Sequence, residues 1–360
     1  MKLVVRSRIF KDFVGEKQMD PIPLVRKVAL APAISYLSAE GVPVHRYLRR
    51  VKLSAPTPET LATLIPLHQV CVFLNSVARA EGMHDLGFHI AGNLGIESLG
   101  SYGRQVAKAF TFHEAIQITR ELISTYNSGL RIWLEHHGDR VRYCQKYVGN
   151  LPRDGITEIV HLALANTFAV AGVYRGTAWK PSRIELATDP IDLGVYAPEL
   201  DDLPMSFNQP QTSLWFDRKW LSKPLPTLQS SQRPPANDNE RTSLVPSAPS
   251  TEPVGQLEQV VESTLGHPEM SLQLTAAITG TSPRTLQRRL AEHGTSFSRL
   301  LQTVRFRTAR RFLRTPEMPL TEIAKRLGYT DLANFVRAFK RWTGIGPTEF
   351  RQLHYTDAHE

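Results

Sequence analysis

Arg284, Gln287 and Arg288 have the types and the spacing to read base pairs. They stand at i, i+3 and i+4, so on a helix they share one face. In a major groove, arginine grips guanine with two parallel hydrogen bonds and glutamine does the same for adenine. Leu286 and Leu290, four residues apart, belong to the opposite, core-facing side. A second set follows at Leu332, Ala333, Asn334 and Arg337. Asn334 suits adenine, whereas Leu332 and Ala333 offer only apolar contact, for example to a thymine methyl. Reading by this second set is therefore expected to be the less specific. Arg305, Arg307, Arg310 and Arg341 are expected to clamp phosphates rather than bases.

Each set needs a helix to hold it and a second helix to brace that one. Leu272–Thr279 has the pattern of a short apolar helix. Gly280 breaks it, Ser282 is placed as an N-cap, and Pro283 opens a helix running to Glu292. The device repeats, with Leu320–Leu327, a break at Gly328, Thr330 or Asp331 as cap, and a helix to about Trp342 that turns Phe335, Phe339 and Trp342 inward. Helix, glycine turn and second helix form a helix-turn-helix unit. Between the copies, Ser296–Leu313 predicts one continuous helix. Eighteen residues make a rod of roughly 27 Å, which suits two reading helices set about one DNA turn, ~34 Å, apart.

The charge follows the same segment. From Gly280 to Gly346 there are 14 Lys and Arg against 4 Asp and Glu, a net +10, while the whole chain of 360 residues carries +9. Nearly all the basic character therefore sits where the two units lie, as a polyanion-binding footprint requires. The two cysteines, Cys71 and Cys144, lack CxxC or Cys/His spacing. That argues against a zinc site or a disulfide framework and suits a reducing cytoplasm. Met1–Asp20 has only short apolar pieces and does not resemble a secretory signal. The most apolar window, Ile156–Val173, contains Glu158, His161 and Asn166, and reads as a buried helix rather than a membrane span.

The first part of the chain predicts an α+β domain. Helical patterns cover Pro23–Arg50 with interruptions, Leu61–Glu81 ending at Gly82, Asp85–Asn93, Gln105–Ala109 after a glycine-rich loop from Gly95, and Phe112–Tyr126. From Leu130 the period becomes two, and Val141, Tyr143 and Gln145 alternate with Arg142, Cys144 and Lys146 across a Gly-Asp turn, which predicts a hairpin. A helix at Gly155–Tyr174 and strands at Arg183–Ala187 and Thr212–Phe216 complete a small antiparallel sheet. The adjacent His136 and His137 point to opposite faces of a strand and are read as a solvated turn, not a metal site. Trp133, Tyr143, His161 and Trp179 lie in or beside apolar elements and are candidate pocket residues, although residues so placed are more often core. Neither paired carboxylates nor a nucleophile elbow stands out, so no catalytic residue, metal or cofactor is expected. Lys223–Gly255 is rich in Pro, Ser, Asn and Gln and predicts a linker. The expected division is 1–222 regulatory, 223–254 linker, and 255–355 all-α and DNA-binding.

The run Gly280-Thr281-Ser282-Pro283-Arg284-Thr285-Leu286-Gln287-Arg288-Arg289-Leu290, with Ile323-Ala324, Leu327-Gly328-Tyr329 and Phe335–Gly344 followed by Gly346-Pro347, resembles the AraC/XylS family of bacterial transcriptional regulators. The likeness covers roughly the last hundred residues. Leu130–Val148 and Phe207-Asn208-Gln209-Pro210 resemble the regulatory domain of one branch of that family, often labelled "arabinose-binding". The resemblance implies double-stranded DNA and RNA polymerase as partners, with a small-molecule effector, a homodimer, or both, handled by the first domain. It also places Arg284, Gln287 and Arg288 on the first recognition helix, and Leu332, Ala333, Asn334 and Arg337 on the second. An enzyme carrying the same module, of the Ada-type alkyl-transfer kind, would need a zinc-bound cysteine cluster that Cys71 and Cys144 cannot form. A regulator whose first domain serves only assembly or polymerase contact is the alternative.

Overall fold

The computed structural model describes residues 21–83, 85–92, 96–171, 180–193, 195, 200, 202–224, 248–315 and 317–356. The expectations for Met1–Asp20, Gly95, the end of the helix after Ala171, Trp179 and most of the linker lie outside these residues. Among the described residues no helix is long and apolar enough to cross a membrane.

Strand β1 (Leu24–Arg26) opens the fold, followed by helices α1 (Leu30–Ala39) and α2 (Val44–Arg50). Strand β2 (Leu64–Pro66) then pairs antiparallel with β1 and leads into α3 (Leu67–Glu81). Helical patterns were expected across Pro23–Arg50 and from Leu61, and both spans instead contain a strand. Pro66 explains the second correction, because the residue before a proline is driven out of the helical region and the helix cannot extend back past Ile65. Gly82 ends α3 in the left-handed region, with φ of 65°. Helices α4 (Leu86–Gly92), α5 (Gly100–Ala107) and α6 (Phe112–Tyr126) follow. The helix expected at Gln105–Ala109 starts earlier, at Gly100. Gly103 sits so close to the Ile96 carbonyl that no side chain would fit there. Thr111 caps α6 by accepting the Glu114 N–H, while Glu114 accepts the Phe110 N–H.

Strands β3 (Leu130–His137) and β4 (Arg140–Tyr147) form the expected hairpin, with Gly138 at φ of 63° in the turn. After α7 (Ile156–Ala171) come β5 (Arg183–Glu185), β6 (Met205–Ser206) and β7 (Thr212–Asp217). The sheet order is β3-β4-β7-β5-β6. All pairs are antiparallel except β5 with β6, so the sheet is mixed at one edge rather than wholly antiparallel. The strand β6, two residues long, carries no periodicity by which sequence could announce it. Leu164 and Phe168 of α7 pack on Val141, Tyr143, Ile184 and Leu214 of the sheet. The His137 ring packs at a tilt against Trp215, with centroids 5.0 Å apart, and the described residues contain no group of His, Cys, Asp and Glu that could hold a metal ion.

The C-terminal part is all α, in the order α8 (Pro253–Thr264), α9 (Leu272–Ile278), α10 (Pro283–Glu292), α11 (Phe297–Leu313), α12 (Leu320–Arg326), α13 (Leu332–Thr343) and α14 (Pro347–Thr356). Helix α8 begins inside the span read as linker, because Pro253 at its first turn needs no hydrogen-bonded N–H. Gln256 and Gln259 of α8 bind the backbone of Ala248 and Ser250 and fix the entry.

The two parts share the β1–β2 ribbon. Alternate residues of a strand face opposite ways. Ile22, Leu24 and Leu64 accordingly lie in the core of the C-terminal helices, while Val25 and Ile65 lie in the core of the N-terminal domain. The Ile22 N–H donates to Gln256 Oε1 at 2.8 Å. Arg26 is buried beside them and donates to the carbonyls of Thr125 and Ala62, and burial lowers its pKa.

Candidate DNA interface

In the first helix-turn-helix unit, α9 is capped by Ser271, whose hydroxyl accepts the Leu274 N–H at 3.1 Å. Gly280 takes φ of 66° in the turn. Ser282 then caps α10 by accepting the Thr285 N–H at 3.1 Å, and Pro283 is its first residue. Leu286 and Leu290 are buried, which fixes the rotation of α10 about its axis. The same rotation leaves Arg284, Gln287 and Arg288 exposed together on the far side. Arg288 lies 3.6 Å from Glu292 in a solvent-exposed pair, an interaction worth little.

The second unit is built by the same local rules. Gly328 turns the chain at φ of 74°, against the Leu265 carbonyl. Asp331, rather than Thr330, caps α13 and accepts the Asn334 N–H at 2.7 Å. Phe335 and Phe339 are buried, and Trp342 packs edge-on to Phe339. The exposed face differs from that of α10. Asn334 donates to Thr330 Oγ1 at 3.1 Å and to Asp331 Oδ2 at 2.6 Å, and its oxygen accepts from Arg337 at 2.5 Å. Both ends of its amide are thus occupied within the cap. Leu332 is half-buried against the helical core, and Ala333 is exposed.

The four arginines assigned to phosphate fall into two kinds. Arg305 donates to the carbonyls of Leu327 and Gly328 at 2.9 and 3.1 Å and lies over the Tyr329 ring. A cation belongs there, because the carbonyls ending α12 are the negative end of a helix dipole. Arg307 donates to Glu258 and Glu262 at 2.7 and 3.1 Å, and Arg311 also pairs with Glu262. These two arginines bind α11 to α8. Arg310 is exposed, with its guanidinium near the Phe306 ring, and Arg341 is exposed on α13. The internal roles of Arg305 and Arg307 were not legible in sequence, because their partners lie 22 to 49 positions away.

The turn at Gly280 also meets the N-terminal domain. Asn150 Nδ2 donates to the Gly280 carbonyl, and the His68 ring lies where a Cβ on residue 280 would go. Burial lowers the His68 pKa. Lys52 also pairs with Glu269, at 2.7 Å. Asn150 and His68 reach the turn while Arg284, Gln287 and Arg288 stay exposed.

Residues 41–225 match the family described as "Arabinose-binding domain of AraC transcription regulator, N-term", and residues 275–353 match a "Helix-turn-helix domain". The first match alone spans more than half of the chain. This protein belongs to the AraC family of transcription regulators. The regulator is similar to the "Ornithine utilization regulator" of Pseudomonas aeruginosa, at 29% identity over 279 residues, covering 74% of this chain and 78% of the relative. Over 81 residues it is 38% identical to the "HTH-type transcriptional regulator VqsM" of the same species, covering 22% of this chain and 25% of that one. Among solved structures, the transcriptional regulator CdpR from P. aeruginosa aligns over 94% of this chain and 100% of its own, at 21% identity and a TM-score of 0.40. As a member of this family, the chain is a DNA-binding transcription regulator with an N-terminal effector-binding domain and a C-terminal helix-turn-helix domain, not an enzyme.

Proposed function

We propose that this regulator reads duplex DNA through two successive major-groove segments, with α10 carrying most of the sequence preference. The observation that supports it most is the exposed trio Arg284, Gln287 and Arg288 on a helix held by two buried leucines and a Ser-Pro cap. Arg284, Gln287 and Arg288 contact bases. On α13, Arg337 and Asn334 do so after exchanging their mutual hydrogen bond, and Ala333 and the exposed edge of Leu332 add apolar contact. Arg310 and Arg341 bind phosphates. Arg305 and Arg307 join them only by giving up the carbonyl and carboxylate partners they already hold. Regulation acts in the cytoplasm on promoter DNA, with RNA polymerase and a second copy of the chain as protein partners. The working division is a regulatory domain through 222, a linker, and a DNA-binding domain that uses α8 onward.

Footprinting of the full chain on genomic fragments selected by binding tests the proposal. Protection of two adjacent major-groove segments on one face of the duplex is the expected result. Protection of one segment alone, or equal binding to scrambled sequence, overturns it.

A further inference from the structure

The N-terminal domain contains a partly open cavity of about 100 Å³ between α5, α6 and α7 on one side and β3 and β4 on the other. Tyr102, Tyr126, Tyr143, Ile132 and Ala163 are typical of its wall, and none of the lining residues is Lys, Arg, His, Asp or Glu. Against this background one polar side chain stands apart. Gln145 follows Val141 and Tyr143 on the inward face of β4, is 3% exposed, lines the cavity, and has no partner for either its amide nitrogen or its oxygen. Three neighbouring polar groups are already engaged, and the other lining amide, Asn166, is only half-buried. Thr167 donates to the Ala163 carbonyl at 3.0 Å, Asn127 Oδ1 accepts the Gly129 N–H at 3.0 Å, and Thr119 bonds to Tyr102. A buried amide without partners costs stability, which folds ordinarily avoid. At the wall of a cavity, that cost is recovered when a bound molecule supplies both a donor and an acceptor.

We infer that this cavity is the effector site and that it takes a small, electrically neutral, mainly apolar molecule whose one polar group both donates to and accepts from the Gln145 amide. The inference rests on the N-terminal domain being effector-binding and adds the class of the ligand. The volume limits the part of the ligand held inside to a single ring or less, since it is smaller than the roughly 150 Å³ cavity that holds benzene. A pentose fits poorly, because its several hydroxyls would meet a wall made mostly of aliphatic and aromatic side chains. A charged amino acid fits worse, because no lining side chain offsets its charges.

The test is calorimetric titration of the full chain with benzamide, toluene, L-arabinose and L-ornithine. Wild type is expected to bind benzamide at least about tenfold more tightly than toluene, since a site built for a hydrogen bond rejects the analogue lacking it. Gln145→Leu is expected to lose that preference while remaining folded, because it removes an unpaired buried amide. Gln145→Met serves the same purpose should the branched side chain not pack. Equal affinity for benzamide and toluene, or an unchanged preference in both variants, overturns the role of Gln145 and the proposal with it. Binding of L-arabinose or L-ornithine in place of benzamide overturns the ligand class and leaves the effector-domain reading standing. Should none of the four bind, the proposal falls, and thermal shift against a broad metabolite panel decides the wider reading: a hit keeps it and a blank removes it.

Discussion

Arg288 and Arg310 carry the same charge and have opposite expected signatures. Arg288 sits on the exposed face of α10 with only a surface ion pair to Glu292. Arg288→Ala is expected to cost about 1–3 kcal/mol on the best target and to relax preference at one base. Titration on that target and on scrambled DNA checks this, and equal weakening on both would make Arg288 a phosphate contact. Arg310→Ala is expected to weaken all sequences alike and to reduce the salt slope by about one. Arg307→Ala is expected to leave the slope unchanged, because Arg307 already pairs with Glu258 and Glu262. Away from the DNA, Glu158 is buried in α7, where it accepts the Gly87 N–H at 2.9 Å. Burial is the main cause that raises its pKa from 4.5 to about 7, with Asp85 adding to it. Between those values the folded chain keeps a proton that the unfolded chain has lost, so its contribution is full below pH 4.5 and is lost as pH rises through 7. Glu158→Gln is expected to gain on the order of 2 kcal/mol over wild type at pH 8 and almost nothing at pH 4.5, as read by denaturant unfolding at both pH values. His161, whose pKa burial lowers to about 4, has the opposite trend and cancels between the two proteins.

Capping decides how well each helix presents its face. Asp331→Ala is expected to cost about 1 kcal/mol of stability through loss of the cap. It also frees the Asn334 amide from Asp331, so base preference at the second unit is expected to change while that at the first is retained. Parallel unfolding and base-substitution measurements would separate the two effects. The elements of this half were legible in the sequence because their signals are local. Ser282-Pro283, Gly280, Gly328 and Asp331 each act within a few residues, and Leu286 with Leu290 fixes a face. The same held for the β3–β4 hairpin, whose alternation put Gln145 on one face with Val141 and Tyr143. What sequence hid depends on distant partners. Strands β1 and β2 are three residues each, too short to show a period, and they exist because they pair with each other. Arg305 reads as one more cation until Leu327 and Gly328 are folded beside it.

At the scale of the molecule, the basic charge lies in one half and the cavity in the other, and the β1–β2 ribbon is built into both cores. Leu24 is fully buried among the C-terminal helices although it belongs to the N-terminal fold. Leu24→Ala is expected to cost about 2–5 kcal/mol and to speed amide exchange in α8 more than in the β3–β4 hairpin. Exchange confined to the ribbon would argue against a shared core. Expressed alone from residue 248, the C-terminal half would carry an open greasy notch where Ile22, Leu24 and Leu64 now sit, and exposed notches of that kind invite self-association. Supplying a peptide of residues 21–66 in trans is expected to plug it and return the fragment to a monodisperse particle.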